Sequence, residues 1–388
     1  MKYNFDKYVN RYGTNSLRYD FIVQRGRPSD TMPLYMADMD FAAPKTLTKA
    51  LKKHADFGVF GYVKEDKSYF EPIHNWWVNH YNVDLQFDWI IPTPSVVFAL
   101  YTAVKAITKV GDKVLVCNPV FNSFHESISD QGRIVVSSDL VYKDGKYSLD
   151  YADFEKKIID NNIKLFLLCS PHNPVGKVWS KNELEQIVNI CKKHKVYIVS
   201  DEVHCDLTWG GVTHTCLLEF DAYKDYIVLC TSPSKSFNLS GMQLANIFIP
   251  NKDVRNQFQN ELWNTGYSLL NSFALVACKN AYSKCEDWLI QCKAYIEGNI
   301  KYMIDYFSRY LPKIKVVKPQ GTYTPWLDFR ELGLNEETIN DKLTNVAKVW
   351  LSSGSLYGEC GTGFYRINVA LPRKQLKLAL DRIYSAFK

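Results

Sequence analysis

The ten cysteines of this chain form no Cys-x-x-Cys pair, and no run of 18 apolar residues occurs anywhere in it. The first absence argues against a zinc ribbon or a thioredoxin-like redox site, and no metal is expected. The second argues against a membrane-spanning helix. The opening residues Met1-Lys2-Tyr3-Asn4-Phe5-Asp6 lack an apolar signal core, so a reducing cytoplasm is the expected location. Repeats, low-complexity tracts and long Gly/Ser linkers are missing too. Positive charge is not massed. The net charge is +6, but clusters such as Lys192-Lys193 and Arg373-Lys374 are short and acids are spread through the same regions. A nucleic-acid groove is therefore not indicated.

What is there is ordinary globular material: 388 residues, 46% hydrophobic and 23% charged, enough for two domains with separate cores. Short β-branched runs at 113–117, 133–137, 164–169, 196–200, 226–230 and 245–249 read as strands. Helical patterns lie between several of them, notably at 122–130, 151–160 and 181–194. Strands alternating with helices predict an α/β fold with a mostly parallel sheet covered on both faces. Ser180 with Glu183 makes a capping box for the helix over 181–194. Ser95 is placed to open another helix through Ala99, Ala103 and Ala106. Further on, a long helical stretch is expected over about 283–310. Short strands follow near 314–317, 323–328 and 364–369, with helices near 336–349 and 373–387. This reads as a smaller α+β domain. The expected division is 1–49, 50–284 and 285–388, with the first segment packing on the last, a pairing that periodicity does not supply.

Lys235 carries the strongest chemical signal. It sits in Ser232-Pro233-Ser234-Lys235-Ser236-Phe237-Asn238, just after the apolar run Tyr226–Cys230. A buried lysine is expensive unless its amine is used. An aldehyde cofactor uses it, since a desolvated amine of lowered pKa forms a Schiff base readily. Ser232, Ser234 and Ser236 could hold a phosphate. The combination points to pyridoxal 5'-phosphate (PLP). Ser232-x-x-Lys235 also fits the Ser-x-x-Lys of penicillin-binding-type acyl transferases, but that reading wants Ser-Asp-Asn and Lys-Thr-Gly, and neither tripeptide occurs.

In open α/β sheets ligands bind beyond the carboxyl ends of the strands. Three expected strand ends here offer an amide (Asn173 in Ser170–Gly176), a carboxylate (Asp201 in Asp201-Glu202-Val203-His204) and the amine of Lys235. PLP chemistry needs that set. A carboxylate keeps the pyridine nitrogen protonated, so that the ring accepts electrons from the substrate carbanion. An amide near the ring oxygen tunes the linkage, and the lysine acts as general base once substrate displaces it. Each residue alone has a plainer reading. Asp201 would serve as a helix N-cap, Asn173-Pro174 as a turn and His204 as a structural histidine. Their joint occurrence in this order favours PLP.

With these motifs the chain resembles the fold-type I PLP enzymes, the aspartate aminotransferase superfamily, over nearly its whole length. Within that group it is most similar to the MalY/PatB-type C–S β-lyases, which act on cystathionine or other cysteine conjugates. Tyr35-Met36-Ala37-Asp38-Met39-Asp40-Phe41 resembles that group's Asp-Met-Asp-Phe signature, and Gly58-Val59-Phe60-Gly61-Tyr62 its Gly-Val-Phe-Gly-Tyr segment. The resemblance implies the aspartate aminotransferase fold and a homodimer with shared sites. Ser95, Val96 and Val97 would cradle the phosphate at a helix N-terminus, with Ser95 standing where the group usually has Gly. Phe121 would stack on the ring where many relatives have Tyr, or else belong to the core. Tyr62 would reach the phosphate of the partner subunit. Arg366 would clamp the substrate carboxylate through its fork, or else form a surface ion pair. Asp38, Tyr62, Tyr323 and the segment Gly354–Tyr357 would contribute to substrate binding. His204 stands where many aminotransferases have Tyr, and Gln243 where many have a phosphate-binding cation. Both departures favour a lyase.

The expected activity is β-elimination from L-cystathionine or a related cysteine S-conjugate, giving a thiol, pyruvate and ammonia. An aminotransferase on the same scaffold is the alternative enzyme. A PLP-binding regulatory protein is the alternative of another class, since some relatives contact a transcriptional regulator.

Overall fold

A computed structural model describes residues 2–388. Its centre is a seven-stranded sheet in the order Ile90–Thr93, Ala245–Phe248, Ile227–Thr231, Tyr197–Asp201, Leu165–Cys169, Lys113–Val116, Ile134–Ser137. Ala245–Phe248 runs antiparallel to both neighbours, and the remaining pairs are parallel. The central strands are buried along their length and apolar up to their carboxyl ends, because both sheet faces are covered. The pleat sends alternate residues to opposite sides. Leu165, Leu167, Val199, Val228 and Cys230 join one core with the helices Val96–Ile107 and Lys252–Asn264. Phe166, Leu168, Ile198, Ile227 and Leu229 join the other, with Lys67–Tyr81, Lys181–His194 and Ser272–Lys284.

A second, antiparallel sheet has the order Lys315–Val317, Trp326–Asp328, Phe364–Arg366, Ser352–Ser353. The helices Glu286–Tyr310 and Arg373–Phe387 contribute Ile296, Ile300, Leu380 and Ile383 to its core. The N-terminal segment lies against this part. Met32–Pro33 pairs in parallel with Val349–Trp350, and Phe5 packs edge-on against Trp288 at 5.8 Å between centroids.

Three expectations need correcting. The helix expected over about 283–310 runs from Glu286 to Tyr310, and Cys285, whose backbone is non-helical (φ −119°, ψ 11°), separates it from a further helix, Ser272–Lys284, that the sequence pattern does not report. The helix expected over 336–349 ends at Asp341, followed by a wider turn over Lys342–Val346. Lys348 then turns the chain through φ 51° into the short strand Val349–Trp350. Tyr323 precedes its strand, which begins at Trp326. The strand Ile90–Thr93 and the helix Lys67–Tyr81 are not apparent in the sequence pattern. Each carries a proline, Pro92 and Pro72, that argues against its element. Nine of the ten cysteines are buried, Cys360 being exposed, and burial is the leading cause that raises the thiol pKa of each of the nine.

Candidate active site

The carboxyl ends of the parallel strands open into one cavity of about 180 Å³. Each functional group arrives there by a simple local route. Ile227–Thr231 ends at Ser232, whose hydroxyl accepts from Ser234 N at 3.0 Å and so starts the short helix Pro233–Ser236. That turn directs Lys235 into the cavity. Ser236 donates to the buried carboxylate of Asp206, which fixes the helix from behind. Tyr197–Asp201 delivers Asp201, with Glu202 N bonded to Cys230 O at 2.9 Å in the next strand. Leu165–Cys169 runs into the loop that carries Asn173. That loop is pinned at Gly176 (φ 71°), where an added Cβ would lie 2.9 Å from Pro319 Cβ. Ser95 caps Val96–Ile107 by accepting from Phe98 N at 3.0 Å, and its own hydroxyl proton remains available. The first N–H groups of this helix, those of Val96 and Val97, have no intrahelical partner, as helix geometry dictates, and both residues line the cavity.

Lys235, Asp201, Asn173, His204, Ser95, Val96, Val97, Phe121, Ser234 and Arg366 all line this cavity. Ser232, Ser236, Tyr62, Asp38, Tyr323 and the segment Gly354–Tyr357 do not, Ser236 being turned to Asp206. The hydroxyl of Ser232 is committed to Ser234 N and to Leu244 O (2.7 Å), so this residue is a helix cap rather than a wall of the cavity. Tyr62 is 98% exposed on a surface loop and stays outside the cavity of its own chain. The carboxylate of Asp38 is held by Arg11 at 2.6 Å and Arg18 at 2.9 Å. Tyr323 is buried behind the wall and donates to Ala37 O at 3.0 Å. Gln243 adopts φ 51° and supplies no cation.

The electrostatics are those of groups taken out of water. Burial pulls the Lys235 amine down to about 8, with Asp38 and Asp201 pulling it up and Arg366 down. Burial pushes the Asp201 carboxyl up to about 7, against a hydrogen bond from Val203 N at 3.1 Å and the attraction of Lys235. Burial, then Lys235 and Arg366, hold His204 well below the ordinary imidazole range, so its ring is neutral. The Arg366 fork donates to Asn173 Oδ1 at 3.0 Å and to Tyr35 O at 2.9 Å, and its buried Nε is left without a partner. Lys235 Nζ donates to Ala37 O at 2.7 Å.

These residues fit PLP. A buried carboxylate with one N–H partner wants a cation, and a protonated ring nitrogen supplies it. The helix N-terminus at Val96 suits a phosphate, and an amine of lowered pKa suits an aldehyde. Asn173 Oδ1 is taken by Arg366, which leaves its amide N–H groups to donate to a ring oxygen. Ala37, Ser240 and Leu244 also line the cavity and were missed. Ala37 acts through its carbonyl, which no side-chain pattern reports. Ser240 was hidden as an unremarked loop hydroxyl, although its distance of five from Lys235 was readable.

The comparison with known proteins agrees with this geometry. The family model for aminotransferase class I and II matches residues 29–383, and the chain belongs to that family. It is 38% identical over 384 residues to cystathionine β-lyase PatB of Bacillus subtilis strain 168, covering 99% of each chain. It is 30% identical over 388 residues to protein MalY of Escherichia coli K12, covering 100% of this chain and 99% of that one. Among solved structures it superposes on cystalysin from Treponema denticola, which contains a pyridoxal 5'-phosphate cofactor. The TM-score is 0.96 at 35% identity, covering 100% of this chain and 99% of that one. The fold is thus the aminotransferase fold, and the similarity read from Asp38–Phe41 and Gly58–Tyr62 extends through the whole chain.

Proposed function

We propose that the chain is a PLP-dependent C–S β-lyase that cleaves L-cystathionine or related cysteine S-conjugates to a thiol, pyruvate and ammonia. The observation that carries the reading is the convergence of Lys235, Asp201, Asn173 and Arg366 on one cavity, in a chain 38% identical to a cystathionine β-lyase along its length. Asp201 would hold the ring nitrogen, Asn173 the ring oxygen, Phe121 a ring face, and Ser95, Val96, Val97 and Ser234 the phosphate. When bound, PLP draws electrons away from the amino-acid Cα. Arg366 binds the substrate carboxylate and fixes which Cα bond faces the cofactor. Lys235, an amine near neutrality, takes the Cα proton. Neutral His204 adds no charge beside these groups. Departure of the Cβ thiolate then completes the elimination, and water hydrolyses the released enamine to pyruvate and ammonia.

Supporting a dimer with shared sites, Tyr62 is the most exposed of a run of exposed apolar residues that includes Phe57, Val59 and Phe60. Such a run suits burial against a second copy, and there Tyr62 would reach the partner's phosphate and substrate. We also propose a cytoplasmic location and the division of the chain at 1–49, 50–284 and 285–388. Among the described residues no helix is long and apolar enough to cross a membrane. An aminotransferase is the second reading, favoured by the family's description. The deciding experiment is pyruvate release from L-cystathionine by the PLP-loaded protein, beside amino transfer to a keto acid. Pyruvate supports the lyase. Amino transfer without pyruvate replaces it with the aminotransferase, and neither product would leave a regulatory PLP-binding role.

A further inference from the structure

Residues 35–41 form a strap along the cavity wall whose carbonyls serve the two cations of the site. Tyr35 O accepts from Arg366 and Ala37 O from Lys235. The strap is tied to the elements bearing those cations. Asn368, two residues after Arg366, donates to Met36 O and Asp38 O, both at 2.6 Å. Asn238, three residues after Lys235, accepts from Met39 N at 3.0 Å and donates to Phe41 O at 3.1 Å.

From the other side comes Arg18, fully buried. Its Nε donates to Pro33 O at 2.7 Å and its Nη1 to Asp38 O at 3.1 Å. One rigid fork thus grips the two carbonyls that bracket Tyr35 and Ala37. Its charge is balanced by Asp38 and Asp40, with Arg11 closing the cluster against the same two carboxylates and Tyr19 donating to Asp40 at 2.7 Å. A buried ion cluster of this kind is weak evidence of stabilisation, because desolvation offsets the attraction. Its best-attested use is to specify geometry.

We propose that Arg18 is a positioning residue for the reaction. It sets the 35–41 strap so that Ala37 O holds the free amine of Lys235 while Tyr35 O holds the fork of Arg366, and one backbone segment thereby governs both proton transfer and carboxylate capture. This rests on the lyase reading for its biological meaning, but the test does not need C–S cleavage. In the PLP-loaded protein, binding of L-alanine, an amino acid with nothing to eliminate, is followed by absorbance. In the cofactor-free protein, trace acetic anhydride labels amines, and mass spectrometry reads the Lys235 peptide.

Arg18→Met keeps the length of the side chain and loses the fork. L-Alanine binding is expected to weaken about tenfold, the scale of one hydrogen bond to a charged group. Labelling of Lys235 is expected to rise about fivefold, the scale of one ordinary hydrogen bond. Arg18→Lys keeps the charge and should recover part of both shifts. If Arg18→Met does not fold, Arg11→Met, at the more exposed end of the cluster, decides by showing the same two shifts at about threefold. A folded variant with either quantity unchanged overturns the proposal, whether or not its melting temperature falls. A failed cystathionine assay with both shifts present would remove the lyase reading and leave the strap intact.

Discussion

Asp201→Asn is expected to stabilise the cofactor-free protein while disabling it. The folded carboxyl titrates at about 7 against an ordinary 3.8, chiefly because burial disfavours its charge. The folded state therefore binds this proton more tightly than the unfolded state, and stability falls as pH rises between the two values. The penalty is absent below about pH 4 and complete above about pH 7. A shift of about three units at ~1.4 kcal/mol each makes it about 4 kcal/mol. An amide of the same shape carries no such charge. Urea melts of cofactor-free wild type and Asp201→Asn should therefore coincide most nearly near pH 4 and separate by up to about 4 kcal/mol at pH 8, the variant being more stable. Pyruvate release by the loaded variant should fall sharply, since an amide cannot keep the ring nitrogen protonated. A gap independent of pH, or a variant less stable at pH 8, would refute the claim that Asp201 is held ionised at an electrostatic cost.

The remaining predictions test the other groups of the cavity. Lys235 has its folded pKa lowered from 10.5 to about 8, so its penalty is complete below pH 8 and vanishes above about 10.5. Lys235→Met should stabilise the cofactor-free protein by up to about 3 kcal/mol at pH 7, with the gap closing in alkaline urea melts. Arg366→Lys keeps the charge but cannot span Asn173 Oδ1 and Tyr35 O. KM in the pyruvate assay should rise about tenfold or more, with a smaller change in kcat. Ser95→Ala removes the cap of Val96–Ile107, costing about 1 kcal/mol in urea melts, and weakens PLP retention in equilibrium dialysis.

The central sheet was legible because its strands are buried on both faces. Leu165–Cys169 and Ile227–Cys230 are unbroken apolar runs whose ends can be located to a residue or so, with Asn173 and Lys235 among the polar residues beyond them, and Tyr197–Asp201 ends on Asp201 itself. Elements defined by context were not legible. Ile90–Thr93 is a four-residue edge strand that contains Pro92, placed by pairing with Ala245–Phe248. Cys285 breaks a helical pattern whose composition continues on both sides, a geometry that local propensity does not encode. Within the site, Ser232 could not be told from Ser234 until the turn was built, because one hydroxyl caps the helix that presents the other. The roles of Tyr35 and Ala37 lie in their carbonyl oxygens, which every residue type possesses.

The cysteines bear on the setting in which such an enzyme works. Thiol–disulfide exchange begins with a thiolate. Burial raises the pKa of the nine buried thiols, and Cys360 is the one exposed sulfur. At neutral pH the buried nine therefore present almost no thiolate. Their sulfurs are thus poor attackers of any disulfide that reaches the enzyme, whether an oxidised product or a disulfide-bearing amino acid, and exchange is expected to be confined to Cys360.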